Sequence, residues 1–166
     1  MVEKTWPIAE QLILNMLALA EQLHEQLSQE ADILKSGGQE AELIDQSTSA
    51  KKQLLNQLEQ LNQQFSQILT AEKLPNNQAG VNGYFGRAEA AGLPAVDTVS
   101  KWKQIQQVCS ECKALNEQNG ASIELLSLHA KRSLDILKGK TGGSNTYGRD
   151  GVTQSEALTH TLTFYL

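Results

Sequence analysis

Aromatic residues are scarce in this sequence: two Trp, three Tyr and three Phe stand among 166 residues, and proline occurs three times. Gln, Leu and Ala recur instead, which is the composition of long helices and not of a sandwich or a doubly wound sheet. Positive charge is also in short supply, with 14 Lys and Arg against 19 Asp and Glu, for a net charge of -5. Phosphate binding needs a concentrated basic face, so nucleic acid is excluded as a partner. No apolar run approaches the roughly 20 residues of a membrane span. The longest, Leu12 to Ala20, is interrupted by Asn15, and stable membrane insertion is not expected. The start of the chain shows no small-residue cleavage site after an apolar stretch, and two cysteines make no disulfide framework. Both features point to a cytoplasmic protein.

What the sequence does have is apolar residues at helical spacing. Leu12, Met16, Leu19, Leu23 and Leu27 mark a first helix over about 6–35, with Thr5 as N-cap and Pro7 in its first turn. Ser36 and Gly37 end it. A second helix over about 39–72 carries Ile44, Ser47, Lys51, Leu54, Leu58, Leu61, Phe65 and Ile68 in three-four alternation, a coiled-coil seam whose polar start at Ser47 and Lys51 is weakly held. The short link between them implies an antiparallel hairpin. From Leu74 to Ala95 glycines punctuate the chain; Tyr84 and Phe85 cap the bundle end there, with room for a short helix over 82–90.

A third long helix, about 97–138 with Asp97 or Thr98 as N-cap, holds the seam Trp102, Ile105, Cys109, Cys112, Asn116, Asn119, Ile123, Leu126, Ala130, Leu134 and Leu137. Asn116 and Asn119 are polar where the pattern asks for apolar, and Gly120 follows. Either the two amides fix register in a buried seam, or the helix breaks at Gly120 and they are solvated. In both readings Asn116, Asn119 and Gly120 form a hinge or register point. Polar positions in the seams also imply a bundle that opens and repacks cheaply. The half beyond them, Ser122 to Leu137, is more apolar than one seam requires, which leaves a surface for another helix. The fold expected is all-α: an elongated antiparallel bundle of three long helices with a short helical or loop insertion, occupying 1–140. A flexible or extended tail, 141–166, follows; its Leu158 to Phe164 alternate as a strand would.

No motif carries catalysis. Cys109 and Cys112 have redox spacing but lie on an apolar helical seam, where cysteine packs as a small hydrophobe. A zinc site needs about four ligands, and no second cysteine pair or His cluster supplies them. No Gly-x-Ser-x-Gly or phosphate loop occurs. The protein is therefore expected not to be an enzyme and to need no metal or other cofactor.

Three stretches then carry a resemblance: Leu115-Asn116-Glu117-Gln118-Asn119-Gly120, the amphipathic segment ending in Leu134-Asp135-Ile136-Leu137-Lys138, and Tyr147-Gly148-Arg149-Asp150-Gly151. With Lys52-Gln53-Leu54-Leu55-Asn56-Gln57-Leu58 and Trp102, their order and spacing resemble the FlgN family of flagellar type III export chaperones. The resemblance implies a cytoplasmic chaperone that binds the C-terminal helices of the hook-filament junction proteins FlgK and FlgL. It implies client binding at Ile123, Leu126, Ala130, Leu134 and Leu137, and docking on the export gate protein FlhA through Tyr147. A structural coiled-coil oligomer or adaptor with no export role is the competing reading of the same seams, and weak self-association is compatible with either.

Overall fold

The computed structural model describes residues 1–37 and 41–137. They form four helices and no strand: α1 (Val2–Lys35), α2 (Ala41–Ala71), α3 (Gln78–Ala90) and α4 (Ala95–Leu137). The all-α class stands, with the expected insertion containing a helix of its own. The tail beyond Leu137, including the alternating segment Leu158 to Phe164 and Tyr147, lies outside the described residues.

Helix α1 is the central element, and α2 and α4 both lie along it. Side-chain bonds give the directions. Thr5 meets Glu72, Gln26 meets Ser47 and Glu30 meets Lys51, so α2 runs antiparallel to α1. Thr98 meets Glu10, Cys112 meets the Ala20 carbonyl and Asn119 meets the Leu27 carbonyl, so α4 runs parallel to α1. The α1 residues Leu12, Met16, Leu23 and Leu27 are buried between these neighbours, as are Leu58, Phe65 and Ile68 of α2 and Trp102, Ile105, Cys109 and Cys112 of α4. Three-four spacing puts each set on one helix face, and burying such faces, not helix propensity, stabilises helices of this length.

The end of the bundle near the start of α1 is closed by aromatic packing. Trp102 stacks on Phe65 at 5.3 Å, Trp6 stacks on Tyr84 at 6.0 Å, and Phe85 meets Trp6 and Trp102 edge-on. Each such pair adds about 0.5–1.5 kcal/mol beyond its burial. Five of the protein's eight aromatic side chains are spent on this one junction, drawn from all four helices. Helix α3 is thus the bundle's plug. It starts earlier than the 82–90 read from the sequence because Asn77 caps it, its side-chain oxygen accepting from the Gly80 N–H at 3.0 Å. It ends at Ala90; beyond it Gly92 has a φ of 74, which suits a residue without a side chain, and the Leu93 N–H closes the turn on the Ala88 carbonyl.

Two local expectations fail for identifiable reasons. Thr5 is not an N-cap, because α1 begins at Val2. Its hydroxyl is instead inside the fold, donating to Glu72 and sharing a bond with the Tyr84 hydroxyl at 3.1 Å. Neither Asp97 nor Thr98 caps α4, which begins at Ala95 directly after Pro94; Asp97 pairs with Lys101 one turn on, and Thr98 is buried against Glu10. Helix α2 ends at Ala71, within one residue of the expected 72. There Lys73 takes a left-handed φ of 57, the Leu74 N–H bonds the Leu69 carbonyl, and Arg87 donates to the Glu72 carbonyl at 2.7 Å.

The seat of α3 is tight at one glycine. A Cβ on Gly80 would stand 1.8 Å from the Pro75 carbonyl oxygen. Backbone has to move to admit it, so Gly80→Ala is expected to destabilise the protein by about 1–3 kcal/mol in urea titrations. Gly86→Ala, at a position with open space around it, serves as the control and is expected to be neutral or stabilising.

Candidate partner-binding site

Helix α4 runs from Ala95 to Leu137 without interruption, so of the two readings left open for Asn116 to Gly120 the break is not the one present. Gly120 is exposed, with nothing within 4 Å of where a Cβ would sit. It weakens the helix there by roughly 1 kcal/mol relative to alanine without breaking it. Asn116 and Asn119 are buried, at 7% and 2% exposure, and not solvated.

Their surroundings contain residues that sequence reasoning misjudged or missed. The Glu30 carboxylate of α1 is fully buried and accepts from Lys51 Nζ of α2 at 3.1 and 3.3 Å. Asn119 Nδ2 donates to the same carboxylate at 2.8 Å and to the Leu27 carbonyl at 2.9 Å. Lys51 donates in turn to Asn116 Oδ1 at 3.3 Å, and one turn away Gln26 donates to the buried Ser47 hydroxyl. Ser47 and Lys51 are therefore not a weak start to α2; they are its polar attachment to α1 and α4. Glu30 was missed because an acidic residue beside Gln29 and Ala31 carries no mark of burial. Its one signal is its place on the seam, three residues after Leu27 and four before Leu34.

Beyond this cluster α4 changes character. Asn119 lies level with Leu27, eight residues before the end of α1. At equal rise α4 passes that end near residue 127 and continues for about ten residues, roughly 15 Å. Since α2 starts at Ala41 near the same level, neither helix flanks the last part of α4. The anticipated client-binding residues sit on this transition. Ile123 and Leu126 are half-buried, Ala130 is exposed, and Leu134 and Leu137 are 52% and 82% exposed. Leu125 and Leu128 are also exposed, on the other side of the helix. The surface does not divide into one face packed on the bundle and one free; past residue 127 both are free of the described helices.

The remaining chemistry is inert. Burial pushes both the Cys109 and the Cys112 thiol up to about 12, far from the thiolate that redox chemistry or metal binding uses. The Tyr84 phenol is also raised, chiefly by burial and further by Glu72, against a lowering hydrogen bond from Thr5. Among the described residues no group of three His, Cys, Asp or Glu is placed to hold a metal ion, and no helix is long and apolar enough to cross a membrane.

A helical scaffold that leaves the apolar end of one helix uncovered is laid out as a protein-binding chaperone would be. The chain belongs to the FlgN family: the family model described as FlgN protein matches residues 9–155. That family is a chaperone family, not one known for enzyme activity. No curated protein and no solved structure matches the chain.

Two measurements follow from the geometry. Lys51→Met strands a buried carboxylate and is expected to cost about 3–5 kcal/mol, whereas adding Glu30→Leu is expected to recover most of that loss in chemical denaturation. The raised thiols predict negligible labelling of the native protein at pH 8 and full labelling in denaturant. Because the folded state holds those protons above the ordinary thiol value of about 9, their contribution to stability is intact below pH 9 and declines as pH rises toward 12. Replacing both cysteines by alanine is expected to flatten that decline, leaving the Tyr84 part.

Proposed function

We propose that the protein is a cytoplasmic type III export chaperone for the hook-filament junction proteins FlgK and FlgL. It binds their C-terminal helical segments, keeps them from assembling early and delivers them to the flagellar export gate, where Tyr147 docks on FlhA. The observation that supports this reading is the stripe from Ile123 to Leu137, apolar and progressively more exposed along a helix that outruns its scaffold.

Large apolar side chains left uncovered at helical spacing are what helix-in-groove recognition uses, with anchors at three-four intervals. Covering a leucine such as Leu134 stabilises a complex by about 1.5–3 kcal/mol. Apolar anchoring of this kind requires neither nucleotide nor metal. Reversibility comes from the same place: α4 past Asn119 has no fully buried side chain among those described, so ordering or releasing it leaves the bundle intact.

Isothermal titration of the full chain with the C-terminal segment of FlgK, and separately of FlgL, tests the reading. A one-to-one complex is expected, and Leu126→Asp combined with Leu134→Asp is expected to weaken it by about 100-fold or more with unchanged helical content. Undiminished binding in that double variant would remove the site. Tyr147→Ala is expected to leave client affinity unchanged while lowering export of the client in cells; normal export would remove the docking role. A stable high oligomer by light scattering in the absence of client would favour the structural coiled-coil reading instead.

A further inference from the structure

The stripe on α4 is not a separate surface. Ile123, Leu126, Ala130, Leu134 and Leu137 continue, at the same three-four spacing, the row Cys109, Cys112, Asn116 and Asn119 by which α4 packs on α1. At 3.6 residues per turn the two sets share one face of the helix, while Leu125 and Leu128 fall on roughly the opposite face. The α1–α4 interface thus extends along α4 past the point where α1 ends. The α1 terminus is closed off: the Ser36 and Gly37 N–H groups bond the Asp32 and Leu34 carbonyls, Ser36 Oγ donates to the Ile33 carbonyl, and Gly37 turns the chain away with a φ of 99.

Resting on the export-chaperone reading, we infer that the client helix docks as a coaxial continuation of α1, filling the place beside α4 that α1 vacates beyond Lys35. Continuity of the interface selects the face, since the client meets the same ridge of α4 that α1 meets. Direction follows from helix electrostatics: the C-terminal end of α1 carries partial negative charge, so the client presents its N-terminal end there and runs parallel to α1 and α4. The edges of the stripe set the client's chemistry. Ser122, Ser127 and Ser133 flank it, and Glu124 and Lys131, seven residues apart, put one charge of each sign on the same edge. The fitting occupant is an amphipathic helix of about three turns, roughly 15 Å, with an apolar ridge and largely neutral margins.

Site-specific photo-crosslinking in the full chain tests this, with benzoyl-phenylalanine placed at Ser36 or at Leu128, both exposed, and the FlgK C-terminal segment as probe. The expected result is a crosslink from Ser36 to the N-terminal end of the segment and none from Leu128. The inference is overturned by a crosslink from Leu128 alone, by attachment of the segment's C-terminal end at Ser36, or by no crosslink from either position in a complex that forms. It is equally overturned if Ser36 captures this chain's own residues 138–166 or a second copy while client is bound. The underlying reading fails separately, when Leu126→Asp with Leu134→Asp binds the segment as the parent does. Loss of binding in that double variant with crosslinking from Leu128 rejects only the coaxial placement.

Discussion

The carboxylate of Glu30 is the constraint on which the arrangement of the three long helices depends. A charge with no access to water costs several kcal/mol unless partners replace its hydration, and here the partners come from two other helices. Lys51 supplies the countercharge from α2, and Asn119 donates from α4 at 2.8 Å. Apolar seams alone tolerate a slide of one heptad, because one leucine layer packs much like the next. A carboxylate that needs an ammonium from one side and an amide from the other does not. Shifting α2 or α4 by a single turn moves Lys51 or Asn119 about 5.4 Å away and leaves Glu30 bare. The polar cluster thus sets register, while the aromatic junction of Trp6, Phe65, Tyr84, Phe85 and Trp102 supplies cohesion at the other end.

These two ends make the molecule unequal along its length. At the aromatic end all four helices meet and side chains are buried from every direction. At the polar end α1 stops, α2 begins, and among the described helices only α4 continues. The stability of α4 therefore falls along its course: buried packing through Cys112, charge-assisted bonds at Asn116 and Asn119, half-burial at Ile123 and Leu126, then exposure. A helix held firmly at one end and uncovered at the other is ordered enough to present a ridge and free enough to have it covered.

Much of this was legible in spacing alone. Three-four periodicity located the three long helices and their buried rows, since a core face must repeat every 3.6 residues whatever its partners are. The stripe beyond Asn119 was legible for the same reason, as apolar residues in excess of one seam. What spacing does not record is which polar residues are inside. Glu30, Ser47 and Lys51 lie on seams where a coiled-coil pattern reads them as flaws, and their burial depends on one another across helices 21 residues apart in sequence. Helix ends were misplaced where side chains had two suitable uses. Thr5 is a good cap by type, but its hydroxyl serves Glu72 and Tyr84. Whether the helix breaks at Gly120 or keeps Asn116 and Asn119 in a buried seam stayed open, because propensity does not record the bonds these two amides make to other helices.

The polar cluster also bounds what the exposed stripe can accept. An apolar helix docked from Leu137 toward the bundle meets compatible side chains as far as the end of α1, level with about residue 127. To go on to Asn119 and Asn116 it would have to displace the last turns of α1, and the Glu30–Lys51 pair would lose the amides that complete its hydrogen bonding. Stripping partners from a buried ion pair costs more than the next apolar contact returns. The scaffold is therefore protected from a ligand whose chemistry resembles its own core. An all-leucine seam, though more stable, would offer a bound helix the whole length of α4 and no place to stop. The two asparagines that look misplaced in the sequence separate the part of α4 that holds the fold from the part left open.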